Sequence, residues 1–415
     1  MIERLDVDVD VAIVGAGPAG LGAALALRHH GVARVIVFER EGIAGGAPRH
    51  CGHPTFGLRE FGRPLSGPRY AARLVAAATR LGIDIRLRHT VVSIAHPASL
   101  TVASPAGTTL IRARRILIAT GARETPRPSR LISGQRPVGV MNTGTLQAML
   151  YLRGLRPFRR PVIVGTELVG LSAVWTCIRH GIRPVAMIEE SGRTIAPRWF
   201  GVLPLLSRIP VLYGSSIDRI SGNERVESVD VYSRRRGIRR LNCDGVLLTG
   251  RFLPETSLLS DGIVACDPGS GGPSIDQYGR CSQPQVFAAG NVLRAIESAA
   301  WCHREGSEVG ARIAADLVDK LPHAVDSIPI IATDGIKWTL PQRLAISDSD
   351  AVSEIVHLRV DAGGRGRLVV GGGAVPWQSR RRCLRIEQRL QVLVIATSAT
   401  VKGSGEHITI AFRKA

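Results

Sequence analysis

The sequence predicts an α/β chain with two Rossmann-like dinucleotide-binding domains, one inserted in the other, and a small β-rich C-terminal domain. Three observations predict it. One apolar strand runs into Gly15-Ala-Gly17-Pro-Ala-Gly20, a second runs into Gly165-Thr-Glu167-Leu-Val-Gly170, and the last hundred residues alternate apolar and polar side chains at strand period. At 415 residues and 45% hydrophobic content, the chain is long enough to bury two or three cores.

In the first fingerprint each glycine has its own task. Gly15 makes the tight turn out of the strand, Gly17 lets the backbone approach a diphosphate, and Gly20 lets the following helix sit close to the sheet. That helix, expected over residues 21–30 and entered through Pro18 and Ala19, turns its N-terminal amides toward the phosphates. A second apolar strand, residues 34–39, then ends in Glu39, a carboxylate suited to a ribose diol, with Arg40 next to it. Farther along, Ile116-Leu-Ile-Ala-Thr120-Gly121 and Val286-Phe-Ala-Ala-Gly290-Asn291 are two more apolar strands that end in turns. Residues 81–87 and 91–95 read as further strands of the same domain.

Together these marks resemble the two-dinucleotide-binding-domain flavoproteins, the glutathione-reductase-like superfamily. The resemblance implies FAD at the first fingerprint, with Gly290-Asn291 near the ribityl chain and phosphate. Asn291 stands where that superfamily carries an acid; an amide both accepts and donates hydrogen bonds there. The candidate cofactor-binding residues are thus Gly15, Gly17, Pro18, Ala19, Gly20, Glu39, Arg40, Gly46, Arg49, Thr120, Gly121, Gly290 and Asn291. The implied order is an FAD domain over 1–123, a degenerate NAD(P)-binding-like domain over 124–250, a return to the FAD domain over 251–321, and the β-rich domain over 322–415.

The second fingerprint is damaged at one position. Glu167 replaces the glycine that lets backbone and diphosphate touch, although Glu189 still offers an acid for a ribose diol. Two like unit charges about 4 Å apart at an effective dielectric near 20 repel by roughly 4 kcal/mol. This disfavours NAD(P)H, so the second site is expected to be vacant or to hold a non-redox nucleotide. The alternative, that Glu167 swings away and NADH binds through Glu189, stays open.

The stretch from Ala44 to Tyr70 follows the ribose acid directly and carries Arg49, His50, Cys51 and His53. Cations near the pyrimidine end of a flavin favour the reduced anion, which makes His50 a candidate catalytic group; the bland reading is a packed loop whose donors satisfy one another. His303, on the helix after Gly290-Asn291, is a second titratable candidate, and Cys302 reads as a buried filler. No Cys-x-x-Cys occurs and the seven cysteines are scattered, which argues against dithiol chemistry and against a disulfide framework. No metal site is expected.

Residues 45–54, the Gly-Thr-Glu turn at Gly165 and residues 289–302 together resemble a narrower family, the FAD-containing α (A) subunits of heteromeric amine and amino-acid dehydrogenases, similar to opine oxidase, hydrogen cyanide synthase and hydroxyproline dehydrogenase. That resemblance implies a partner β subunit like an amino-acid oxidase, which oxidises the C–N bond, with this chain relaying the electrons. The family's [2Fe–2S] domain has no counterpart here, because the C-terminal part holds one cysteine, Cys383; a cluster would come from a small iron–sulfur subunit. Two other readings compete: a stand-alone NAD(P)H-dependent flavin reductase, and a non-catalytic nucleotide-bound scaffold.

The formal charge of +20 comes from dispersed arginines without aromatic interleaving or a nucleic-acid module, so nucleic acid is not the expected partner. A solvated arginine-rich surface explains it, with an acidic partner or peripheral contact with membrane headgroups as alternatives. The acidic start has no secretory layout and no apolar run reaches spanning length, so the expected location is cytoplasmic.

Overall fold

The computed structural model describes residues 7–197, 201–322, 326–347, 352–372, 375–385, 387–396 and 407–414. Two compact units emerge: one from residues 1–46, 73–122 and 254–415, the other from 47–72 and 123–253.

The first unit is organised around a sheet in which Asp84–Leu87, Val35–Glu39, Val7–Val14 and Gly107–Ile118 run parallel. Val35–Glu39 is buried at every position, as a parallel strand covered on both faces must be, which is why it reads as an uninterrupted apolar run. The long strand Gly107–Ile118 divides its outer edge. Its N-terminal half pairs antiparallel with Ser99–Ser104, and its C-terminal end pairs parallel with Val286–Ala288. The segment around residue 286 therefore rejoins the first sheet, as the interrupted arrangement requires.

Two helices cross over one another in this unit, Pro18–His29 and Ala299–Asp316. Side-chain-free positions let their backbones touch. A Cβ on Gly306 would lie 2.0 Å from the Ala19 carbonyl oxygen, one on Gly22 2.4 Å from that of His303, and one on Gly310 2.6 Å from that of Ala23. Neither helix can recede without opening the site at their N-termini, because Gly290, just before the second helix, would itself meet the Ala19 Cβ at 2.7 Å.

The C-terminal strands belong to this first unit. Ile336–Leu340, Val352–Val360 and Arg389–Ala396 form an antiparallel three-stranded sheet, while Ile408–Lys414 lies between Asp326–Thr333 and Gly364–Gly371 in a second sheet. Val356, Leu358 and Val360 alternate with less buried neighbours and face Val392, Val394 and Ala396 in one core.

The second unit repeats the parallel plan. Val211–Tyr213, Ala186–Glu189, Pro161–Val164, Gly245–Leu248 and Val140–Asn142 lie in that order, all parallel. Ser215–Ser221, Ser228–Ser233 and Gly237–Asn242 add an antiparallel meander against it. Residues 47–72, which read in sequence as a continuation of the flavin domain, cluster here instead. The physical reason is local packing: the short turn Ala47–His50 lies against helix Thr143–Arg153, Cys51 Sγ comes 3.6 Å from Gln147 Oε1, and a Cβ on Gly52 would strike the Tyr151 ring.

Candidate functional site

In the first unit the fingerprint, the two turns and the ribose acid converge at the C-terminal ends of the parallel strands, where open α/β sheets bind ligands. Gly15 adopts φ +108, and a Cβ there would sit 2.5 Å from the Ala119 carbonyl oxygen, so strand 7–14 and the Thr120-Gly121 turn touch through a glycine. At Gly17, by contrast, a Cβ would meet nothing nearer than Gly46 Cα at 3.9 Å; that face is open. Pro18 opens the helix, and no side chain caps its N-terminus, which leaves Ala19 and Gly20 amides at a positive helix end. Glu39 accepts backbone N–H bonds from Ala16 at 3.1 Å and Glu41 at 3.0 Å, and among the described residues no hydroxyl is hydrogen-bonded to it. Arg40 is exposed, and Gly46 packs against Gly17. A cradle of this kind fits an adenine dinucleotide such as FAD: an open diphosphate floor, an uncapped helix and a carboxylate held by main chain alone.

Asn291 is engaged in a turn. Its Oδ1 accepts from Glu297 N at 2.8 Å while its Nδ2 donates to Glu297 O at 3.4 Å, and Gly290 N donates to Glu305 Oε2 at 2.8 Å. Thr120 Oγ1 donates to Glu255 O at 2.7 Å, and a Cβ on Gly121 would meet nothing.

The turn after Gly290-Asn291 is clamped by charge. Glu297 receives Arg389 at 3.0 Å, Arg359 at 3.2 Å and Arg294 at 3.5 Å, and Arg294 also reaches Glu305 at 2.9 Å. Arg359 and Arg389 come from the C-terminal sheet, so that sheet holds the turn leading to helix Ala299–Asp316. The Arg389 guanidinium also lies 3.6 Å from the Trp301 ring centroid, and His357 meets the same ring edge-on at 5.4 Å. Burial, joined by Arg389, Arg294 and Arg304, pushes His357 down to about 4, leaving it neutral.

The second unit carries the same parts, differently used. Glu189 Oε2 accepts from Thr166 N at 3.1 Å and from the Thr166 hydroxyl at 2.5 Å; its Oε1 faces Ser191 N at 2.9 Å and Ser191 Oγ at 2.8 Å. Glu167 does not reach outward from the fingerprint turn. Its side chain folds back, so that Oε2 would lie 2.4 Å from a Cβ on Gly165 and Oε1 2.7 Å from one on Gly250. It is also hydrogen-bonded to the Thr249 hydroxyl. That hydroxyl is 2.7 Å from Val164 O, and its one proton satisfies one acceptor. A protonated Glu167, donating to Thr249, satisfies both. Burial pushes the Glu167 carboxyl above the usual carboxylate range, with Glu189 adding to the effect and the Thr249 and Arg130 contacts opposing it. The repulsion anticipated from the sequence thus gives way to a carboxyl that is packed between Gly165 and Gly250 and fills the space.

The two candidate histidines fall in different units. His50 belongs with residues 47–72, near Gly144 at the start of helix Thr143–Arg153, where Gly144 N donates to Glu124 Oε2 at 2.7 Å. Burial raises the Glu124 carboxyl, while the Gly144 and Thr143 hydrogen bonds oppose that. Arg49 is buried in the same segment. His303 lies on helix Ala299–Asp316 with its carbonyl against Gly22. Cys51 and Cys302 are free thiols, each pushed up to about 12, first by burial and then by Glu124 and Glu305 respectively. Neither is a thiolate near neutral pH. Among the described residues no group of three or more His, Cys, Asp or Glu could hold a metal ion, and no helix is long and apolar enough to cross a membrane.

Thr166, Ser191, Thr249 and the Glu297 clamp escaped the sequence analysis. A signal for the first two exists: superposing the two repeats sets Thr166 against Ala16 and Ser191 against Glu41, so hydroxyls gather around one acid only.

Two nucleotide-binding units of this design, one interrupting the other, define the class of two-dinucleotide-domain oxidoreductases. The chain belongs to the pyridine nucleotide-disulphide oxidoreductase family, whose model matches residues 9–306. Among its relatives, the A subunit of opine oxidase from Rhizobium meliloti (strain 1021) is 29% identical over 280 residues, covering 60% of this chain and 58% of the relative. The chain therefore spans well under two thirds of that relative's length. The ferredoxin–NAD(+) reductase component of the biphenyl dioxygenase system of Paraburkholderia xenovorans (strain LB400) is 27% identical over 387 residues, covering 88% of this chain and 84% of the relative. Thioredoxin reductase of T. acidophilum shares the fold, with a TM-score of 0.64 at 22% identity over 75% of this chain and 100% of that one.

Proposed function

We propose that this chain is an FAD-dependent subunit of a multisubunit enzyme that oxidises the C–N bond of an amino acid or opine-like amine, relaying electrons from a β subunit like an amino-acid oxidase. The observation that carries the reading is the inequality of the two cradles: Gly17 leaves the first diphosphate floor open, whereas Glu167 fills the second. A chain that takes no electrons from NAD(P)H needs another donor, and the likeness to one component of opine oxidase supplies its chemical class. A small iron–sulfur subunit is a further proposed partner, since the cysteines of this chain are scattered.

FAD, when bound, supplies an acceptor that takes electrons in pairs and passes them on singly. The chain's own residues do the rest. Gly17, Ala19 and Gly20 would admit and hold its diphosphate, Glu39 would accept its ribose hydroxyls, and Thr120-Gly121 and Gly290 would close the floor. His303, on helix Ala299–Asp316 of the same unit, is proposed to place a titratable group beside the redox centre.

A second reading, a stand-alone NAD(P)H-dependent flavin reductase, draws on the likeness to the ferredoxin–NAD(+) reductase, which covers more of the chain. One experiment separates the two. The cofactors of the purified protein are extracted and identified, and the protein is mixed anaerobically with NADH. FAD with no bleaching of the flavin is the expected result. Stoichiometric reduction within a single turnover establishes the reductase reading, and absence of FAD removes both.

A further inference from the structure

The two fingerprints permit a comparison inside one molecule, position against position. Each acid follows its first glycine at the same spacing, and each parallel sheet ends in a Thr-Gly turn. In the first unit the places where a dinucleotide's groups lie are lined by main chain and hydrogen: Gly17 is open, Gly121 meets nothing, and Glu39 is held by two backbone N–H groups. In the second unit each of those places is taken by a side chain. The Glu167 carboxyl lies between Gly165 and Gly250, and Thr166 Oγ1 and Ser191 Oγ stand at the two oxygens of Glu189, at 2.5 and 2.8 Å.

A bound dinucleotide sets its diphosphate over the second glycine and its ribose diol on the acid. The chemistry of the occupants matches: a carboxyl stands at the diphosphate's place and two hydroxyls at the diol's. Further contacts hold them there. Thr166 Oγ1 also accepts from Ile195 N at 3.1 Å, Ser191 Oγ lies 2.7 Å from Arg193 O, and Glu167 is tied to Thr249. Arg130, the nearby cation, donates to the Thr249 and Gly250 carbonyls at 2.9 and 2.7 Å, so it too is committed to the turn.

We propose that the second dinucleotide-binding unit is liganded by its own side chains, Glu167 replacing the diphosphate and Thr166 and Ser191 the ribose diol, and that it therefore excludes every adenine nucleotide and not nicotinamide nucleotides alone. This deepens the reading above and rests on its assignment of FAD to the first unit. The exclusion acts by filling. It persists when the carboxyl is neutral.

The test uses ADP-ribose, which carries both a diphosphate and ribose diols and has no redox chemistry, titrated calorimetrically into the full chain saturated with FAD. The wild-type chain shows no saturable binding up to about 1 mM, and a T166A/E167G/S191A variant gains binding at least roughly tenfold tighter than that limit. Glu167→Gln keeps the volume without the acid and stays unable to bind. Wild-type binding below that limit overturns the proposal, as does binding by E167Q, which would make repulsion the cause. A folded triple variant that still fails to bind also overturns it. If the triple variant does not fold, E167G alone decides: binding supports filling of the diphosphate place, and no binding overturns it. Because the probe cannot reduce a flavin, these outcomes are read independently of the NADH experiment: a wild-type chain that binds ADP-ribose yet is not reduced by NADH loses this inference and keeps the proposed function.

Discussion

Replacing Glu297 with alanine is the sharpest test of how the C-terminal sheet contributes to the cofactor-bearing unit. The carboxylate is 8% exposed and sits among three guanidinium groups, of which Arg294 is 1% exposed, Arg359 14% and Arg389 27%. Removing one partner of a buried ion pair costs about 3–5 kcal/mol, chiefly because the remaining charge is left without compensation. Here Arg294 keeps Glu305, while Arg359 and Arg389 lose their best-buried partner and water reaches Arg389. A loss of about 3 kcal/mol, the lower end of that range, is expected. Denaturant unfolding of the FAD-saturated protein, followed by the fluorescence of the flavin and of Trp338 and Trp301, measures it. The double variant E297A/R359A should recover part of the loss, since it removes a stranded cation together with the anion. A loss below about 1 kcal/mol, the worth of a surface pair, would refute the clamp. So would strict additivity in the double variant.

Two further outcomes follow from the acid and thiol chemistry. The Glu167 carboxyl titrates higher in the folded chain than in the unfolded one, so its contribution is fully present below the unfolded value of about 4.3 and is lost as pH rises through the folded value. Glu167→Gln should therefore match the wild type below that unfolded value and become more stable than it as pH rises above it, until the folded carboxyl has ionised; a stability difference that does not change with pH contradicts the assignment. Cys51 and Cys302, both held up at about 12, should resist a thiol-specific disulfide reagent at pH 8 in the native chain, while the exposed Cys383 reacts, and peptide mapping of the labelled protein reads this directly.

Much of the fold is legible in the sequence because parallel strands buried on both faces are written as unbroken apolar runs. Val35–Glu39, Pro161–Val164 and Gly245–Leu248 are of that kind. The fingerprint helix begins at Pro18 rather than Leu21, since proline is well suited to a first helical position, and the later helix begins at Ala299, where the Ser298 hydroxyl accepts from Trp301 N at 3.3 Å. The meander over residues 215–242 is harder to see, because exposed strand faces carry arginines and the alternation blurs. The strands between Asp326 and Ile346 hide behind Pro329 and Pro341, which read as breakers. At the candidate site, spacing identified Glu167 as an intruder but said nothing of its rotamer. Whether it repels or fills depends on Thr249 and Gly250, which lie far along the chain and meet it only through the sheet. The same is true of Glu297, two of whose three arginine partners, Arg359 and Arg389, come from strands far along the chain.

The glycine-lined crossing of helices Pro18–His29 and Ala299–Asp316 also has a consequence for the order in which the protein is made. The first helix leaves the ribosome early with a face that only the second can cover, since Gly306 and Gly310 seat directly on Ala19 and Ala23. Every segment of the inserted unit, complete by residue 253, emerges during that wait. A vectorially synthesised chain thus finishes its insert before its host, and the nascent first unit, lacking its last strand and its covering helix, is the interval in which chaperone binding and premature aggregation compete for it.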